Sequence, residues 1–228
     1  MNRQFKALLF IILNKEDKKI SQFQKDVATC LLLGSWNTAI INPKWLAKNI
    51  FEVPDGEEFG MEMSFNGSVK FRTLIRDIYI APTNDRLVMY PVKEEEELFK
   101  RIDSVTTMLY KKLPYTPITA IGHNFTYILD GVESFTVDVF KGLQEYDSVY
   151  DNINTGLSNE VLIKHSLLVN EDEHVKLNLN YKKDGNKKIL DLNYHYQVNQ
   201  IPDLINHALN KCYSNYVHSQ NIKEFLIS

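Results

Sequence analysis

The chain has 228 residues, enough for one large domain or two small ones. Hydrophobic residues make up 44% and aromatics 11% of it, which rules out an intrinsically disordered chain and predicts a folded globular protein. A formal net charge of −3 supplies no strong pull toward nucleic acid or acidic membranes.

Near the start, Ala7 to Leu13 follows Arg3 and Lys6 and has the outline of a signal peptide. The apolar run is short, a charged stretch from Asn14 to Lys19 follows at once, and no small-residue cleavage site is found. It is also too short to span a bilayer. Phe5 to Leu13 is therefore expected to be a buried strand and the protein cytoplasmic, with Asn66-Gly67-Ser68 and Asn124-Phe125-Thr126 as accidental glycosylation sequons.

Ile20, Phe23, Val27 and Leu31 recur at helical spacing and predict an amphipathic helix stopped by Gly34. Trp36 to Ile41 reads as a short strand. Asn42 and Pro43 then cap and open a helix through Ile50. After a turn at Asp55-Gly56, Phe59, Met61, Met63 and Phe65 alternate as a strand, with Asn66-Gly67 as a hairpin turn. Val69 to Ile80 is the expected partner strand. Its apolar side changes between Ile75 and Ile78, which predicts a bulge near Arg76-Asp77. Strand Leu87 to Val92 follows. Acids from Glu94 to Glu97 suit the N-terminus of a long helix whose buried face is Leu98, Ile102, Val105, Leu109 and Leu113.

The second half predicts a strand over Pro117 to Leu129, a helix over Phe135 to Leu143, a polar connection over Gln144 to Ser158 and a strand over Val161 to Val169. Val175 to Val198 reads as a hairpin around an Asp184-Gly185 type I′ turn. That turn sets Val175 against Tyr194, Leu177 against Leu192 and Leu179 against Leu190. Pro202 then opens a helix with Leu204, Ile205, Ala208, Leu209, Cys212 and Tyr216 on one side. Both halves thus read as strand, helix, three antiparallel strands, helix, and Thr38-Ala39-Ile40 and Thr119-Ala120-Ile121 begin them alike. The predicted fold is α+β: two tandem units, 1–116 and 117–228, with antiparallel sheets and helices packed on one face, joined as one continuous body with pseudo-twofold character.

Asp85-Arg86-Leu87 and Tyr90-Pro91, the long helix after them, and Ile118 to Ile128 resemble the middle of a sporadically distributed, uncharacterised bacterial protein family with duplicated sheet-plus-helix units. Ile189-Leu190-Asp191-Leu192-Asn193, with a helix ending in Lys223-Glu224-Phe225-Leu226-Ile227, is similar to that family's closing segment. The resemblance begins at about Trp36. Asn193 stands where the family usually has a second acid, which weakens an acid-pair mechanism. The resemblance implies a bacterial, horizontally spread gene and a place in a multi-gene defence system; it supplies no activity.

No phosphate-binding Gly-x-x-x-x-Gly-Lys loop, Gly-x-Gly-x-x-Gly, Gly-x-Ser-x-Gly or His-Glu-x-x-His occurs, which disfavours an ordinary ATPase, dehydrogenase, serine hydrolase or zinc protease. Four sets of residues carry candidate chemistry. His123, in Gly122-His123-Asn124 where the halves join, is the candidate catalytic base; the competing reading is a junction residue bonding backbone in a bend. Lys70, Arg72 and Arg76 share one side of one predicted strand, with Arg86 on its expected neighbour, and could bind phosphates or nucleic acid; a solvated charged face is favoured, since Leu74, Asp77 and Asp85 interrupt or flank them. The predicted hairpin register sets His174 opposite His195 as a candidate metal pair, with Asp172 and Glu173 nearby but no third ligand fixed by spacing; a solvated strand face carrying two histidines is favoured. Cys30 and Cys212 fall on apolar helix faces and read as buried reduced thiols. No cofactor is implied.

The favoured expectation is a non-catalytic bacterial protein-interaction subunit whose partner is another subunit or a second copy of the chain, with no membrane role and nucleic acid less favoured. The alternative is a nucleotide- or nucleic-acid-acting enzyme or sensor using the basic sheet face and His123. A histidine clustered with acids in a deep cleft would favour the enzyme, and an uncovered strand edge or flat apolar patch the binding module.

Overall fold

The computed structural model describes residues 21–25, 27–54, 56, 58–64, 70–129, 160–169, 172–184 and 187–227. The strand expected over Phe5 to Leu13, the Asn66-Gly67 turn and the helix expected over Phe135 to Leu143 lie outside them. In chain order the elements are β1 (Ser21–Phe23), β2 (Cys30–Gly34), α1 (Pro43–Asn49), β3 (Gly60–Ser64), β4 (Lys70–Ile75), β5 (Ile78–Pro82), β6 (Arg86–Pro91), α2 (Glu96–Lys112), β7 (Ile118–Leu129), β8 (Glu160–Val169), β9 (Asp172–Asp184), β10 (Lys187–Gln197), α3 (Pro202–Leu209) and α4 (Cys212–Ile227). The fold is α+β. All ten strands join one sheet in the order β3-β4-β5-β6-β2-β7-β10-β9-β8, with β1 pairing β7 off this path. Every pairing is antiparallel.

One face of the sheet is the core. Ile80, Met89, Cys30 and His123 lie opposite one another across β5, β6, β2 and β7, and Tyr194 and Leu177 continue the row across β10 and β9. All six are buried. Three helices cover this face. Phe99 of α2 stacks on Tyr216 of α4 with ring centroids 3.9 Å apart, and both meet Phe125 of β7. His207 of α3 meets the Tyr196 ring of β10. The predicted buried face of α2 holds: Leu98, Ile102, Val105 and Leu109 are buried and Leu113 is packed partly against them. The opposite face carries polar residues, including a ladder in which Asn178 of β9 donates to Asn193 of β10, and Asn193 donates to Asn124 of β7.

Several predicted elements are corrected. Cys30–Gly34 is a central strand between β6 and β7, not the end of a helix. Cys30 and Leu32 are buried and Leu31 is not, a period of two, because the pleat sends alternate residues to opposite faces. Gly34 ends no helix. It is required because a Cβ there would stand 2.2 Å from the Pro117 carbonyl oxygen, where β2 shifts register against β7. Trp36 to Ile41 is a turn rather than a strand: Asn37 Oδ1 accepts from the Ala39 N–H, and the Trp36 indole N–H donates to the Leu32 carbonyl at 3.1 Å. The start of α1 is as predicted, with Asn42 Oδ1 accepting from the Trp45 N–H at 2.9 Å and proline in the first turn.

The irregularity near Arg76-Asp77 is a hairpin turn between two strands, not a bulge in one. Both residues have positive φ, 46° and 64°, the left-handed pair that a tight hairpin demands. Four strands therefore follow α1 where three were expected. The β9–β10 register also differs, by two residues: Val175 faces Tyr196, Leu177 faces Tyr194, Leu179 faces Leu192 and Tyr181 faces Leu190. A shift of two keeps every side chain on its face. It also pairs Tyr181 with an apolar residue, where the expected register would have set it against Lys188.

The final helix is two helices. At their junction the Asp103 carboxylate of α2 accepts from the Cys212 and Tyr213 N–H groups at 2.8 and 3.1 Å, satisfying donors that the start of α4 leaves unpaired. Thr106 Oγ1 stands 2.8 Å from the Leu209 carbonyl at the end of α3. Among the described residues, no helix is long and apolar enough to cross a membrane.

Candidate functional site

His123 sits in the middle of β7, at the centre of the sheet, and its side chain has no exposure. Asn215 of α4 donates from Nδ2 to His123 Nδ1 at 2.9 Å, and the same amide donates to the Tyr196 hydroxyl at 2.9 Å. An accepting Nδ1 leaves the proton on Nε2, so this network assigns the neutral Nε2–H tautomer. Nε2 is buried and has no hydrogen-bonding partner among the described residues. Burial lowers the imidazole pKa to about 3. A general base needs reach to a substrate and an orienting acid. His123 has an amide instead of an acid on Nδ1 and a wall of helices over it. The bend expected at this residue is absent, since β7 runs through it.

Arg72, Arg76 and Arg86 lie in three different places: on β4, in the β4–β5 turn and on β6. Arg72 of β4 is salt-bridged to Glu62 of β3, its direct cross-strand partner, and donates to the Tyr90 hydroxyl of β6. Its guanidinium lies 4.3 Å from the Tyr79 ring centroid, and Tyr79 stacks on Tyr90 at 5.1 Å. The Tyr79 hydroxyl, donating to Glu62, and then Arg72 hold the Glu62 carboxyl below its usual pKa. Arg72 is thus neutralised inside an aromatic cluster. Arg86 is paired with Asp85 at 2.9 Å and lies on β6, with β5 between it and β4. Arg76 is in the β4–β5 turn. The side chain of Lys70 lies outside the described residues.

The register sets His195 opposite Lys176, not opposite His174, whose side chain also lies outside the described residues. His195 Nε2 is 3.3 Å from Gln197 Oε1. Among the described residues no group of three or more His, Cys, Asp or Glu side chains could hold a metal ion. Cys30 and Cys212 are free and buried, and burial pushes both thiols far above their usual pKa. A thiol held protonated is a poor nucleophile.

Sequence reasoning missed two features. One is β3, which ends the sheet and pairs on one side only among the described strands. Met61 within it is 57% exposed and Phe59, just before it, 38%. The alternation of Phe59, Met61 and Met63 revealed a strand, but not that its position is an edge. The other is a recess of about 220 Å³ between the end of α1, the β4–β5 turn and α2. Comparison with family models, curated proteins and solved structures finds no match.

Proposed function

We propose that this protein is a non-catalytic interaction subunit that takes up an extended segment of another polypeptide along β3. The observation that carries the reading is the outer edge of that strand, which pairs with no strand among the described residues, with exposed Phe59 just before it and exposed Met61 within it. An edge strand offers unpaired N–H and C=O groups to a partner chain, and nearby apolar side chains add affinity and register. The enclosure of His123, whose Nδ1 meets the Asn215 amide rather than a carboxylate, supports binding over catalysis. The bacterial origin and multi-gene defence setting proposed here rest on the sequence resemblance alone, and the cytoplasmic location on the short apolar run from Ala7 to Leu13 and the charged stretch after it.

The tandem-unit organisation belongs to the same proposal. The strand order supports it: β2 neighbours β6, the last strand of the meander that follows it, and β7 neighbours β10, the last of its own. The two leading strands, β2 and β7, pair with each other in the centre. A partner on β3 would then extend the outer strand of the first unit.

The test is to purify the chain from its native cells with bound proteins identified by mass spectrometry, and to repeat it with Met61→Lys. Strand addition predicts a co-purifying protein, or a dimer by light scattering, that is lost in the variant while circular dichroism is unchanged. A folded monomer with no partner in both cases, or a partner retained undiminished, refutes it.

A further inference from the structure

The recess has three kinds of wall. Arg101, Ser104, Val105 and Met108 recur at helical spacing on one stripe of α2; Ile50, Phe51 and Glu52 follow the end of α1; Arg76 comes from the β4–β5 turn. Its apolar lining is Ile50, Phe51, Val105 and Met108. Its charged groups are two guanidinium ions and one carboxylate. Arg101 Nη1 donates to the Arg76 backbone carbonyl at 2.6 Å, which ties the turn to the helix and fixes one side of the recess. Neither arginine forms a salt bridge among the described residues, and Glu52 forms none with them. Opposite charges therefore line one small recess without neutralising each other. Glu52 and Arg76 also both hold left-handed backbone, with φ of 50° and 46°.

A ligand that satisfies all three walls carries an anionic group for the arginines, a cationic group for Glu52 and a short apolar body between them. Small-molecule sites are usually apolar concavities with a few placed polar groups, of about 300–1,000 Å³, and this recess is smaller than that, which suits only a small ligand. We propose that it binds a free zwitterionic amino acid with an aliphatic side chain of about leucine size. The carboxylate pairs with Arg76 and the outward edge of Arg101, the ammonium with Glu52, and the side chain lies on Val105 and Met108. The proposal is independent of strand addition at β3.

The test uses the full chain, labelled with 15N, titrated with L-leucine and separately with 4-methylpentanoate and 3-methylbutylamine, which lack the ammonium and the carboxylate. The expected result is saturable shifts of the Ser104 and Met108 amides with L-leucine, weakened at least about tenfold in each analogue, as loss of one charged contact implies. Arg76→Gln, which keeps the backbone carbonyl that Arg101 holds, should weaken L-leucine to a similar degree. No saturable shift at these amides with millimolar L-leucine overturns the proposal, as does equal binding of either analogue or of the Arg76→Gln protein. The analogue comparison needs no variant to fold.

Discussion

His123 is neutral because the sheet and helices around it exclude the water that would solvate a charge. Its folded pKa, about 3, lies below its ordinary 6.5, so the unfolded chain takes up the proton first as pH falls. Its share of stability is complete above about pH 6.5 and is lost progressively toward pH 3, by about 1.4 kcal/mol per pH unit. Asp103 works in the opposite sense. Burial, only partly offset by the Tyr213 and Cys212 N–H groups, raises its pKa from 3.8 to about 6, so acidification through that window favours the native state. The two contributions oppose each other between about pH 6 and 4. His123→Asn removes one of them. Relative to the parent, the variant should gain about 1.4 kcal/mol for each pH unit lowered below 6.5, measured by urea unfolding. Parallel pH profiles would show that His123 does not titrate against folding. At Gly34 the effect is steric instead. Gly34→Ala must push strand backbone away from Pro117 and should cost about 1–3 kcal/mol, seen as a lower urea midpoint with an unchanged slope.

At the scale of elements, the β4–β5 hairpin is a local conflict that the tertiary structure overrides. Arg76 is a poor residue for left-handed backbone and Asp77, though it tolerates it better, is still worse than glycine, yet Ile75 pairs with Ile78 across them and both are buried. Burying two such side chains contributes about 3–6 kcal/mol, more than the turn costs. Asp77→Gly should therefore raise stability by about 0.5–1 kcal/mol without altering the strands, read as an increase in Tm. A decrease would mean that the Asp77 side chain supports the turn. Residue pattern also explains why the β9–β10 register was missed. Registers two residues apart place the same side chains on the same face, so alternation alone does not separate them. Counting pairs does: the observed register makes four apolar pairs from Val175 to Tyr181, and the expected one three. The α3–α4 break had no comparable local signal. Asp103 and Thr106, which take up the junction's N–H and C=O groups, lie about a hundred residues earlier.

Across the whole molecule, one sheet joins strands of both halves and one buried cluster runs from Phe23 to Tyr216, so the halves share their core. Trp36, buried in the first half, and the tyrosine-rich face of β9 and β10 in the second should unfold together. Tryptophan fluorescence and near-ultraviolet tyrosine signals are expected to give one coincident urea transition; two separated midpoints would show that each half folds alone.

Composition and local pattern determined the α+β class, the long helix α2, the cap of α1 and most strands, because burial of one face stamps a period on any regular element. They also marked His123 and the arginines as unusual. Only the tertiary structure decided their circumstances. Whether a histidine on an apolar-rich strand faces a cleft or a closed core depends on which helix crosses it, and here that helix brings Asn215. Whether an arginine is free or neutralised depends on its cross-strand neighbour, and Arg72 meets Glu62 while Arg76 stands in a turn. Edge or centre is likewise a property of strand order: β2 and β3 are both short strands, and it is long-range pairing that buries one in the middle of the sheet and leaves the other at its rim.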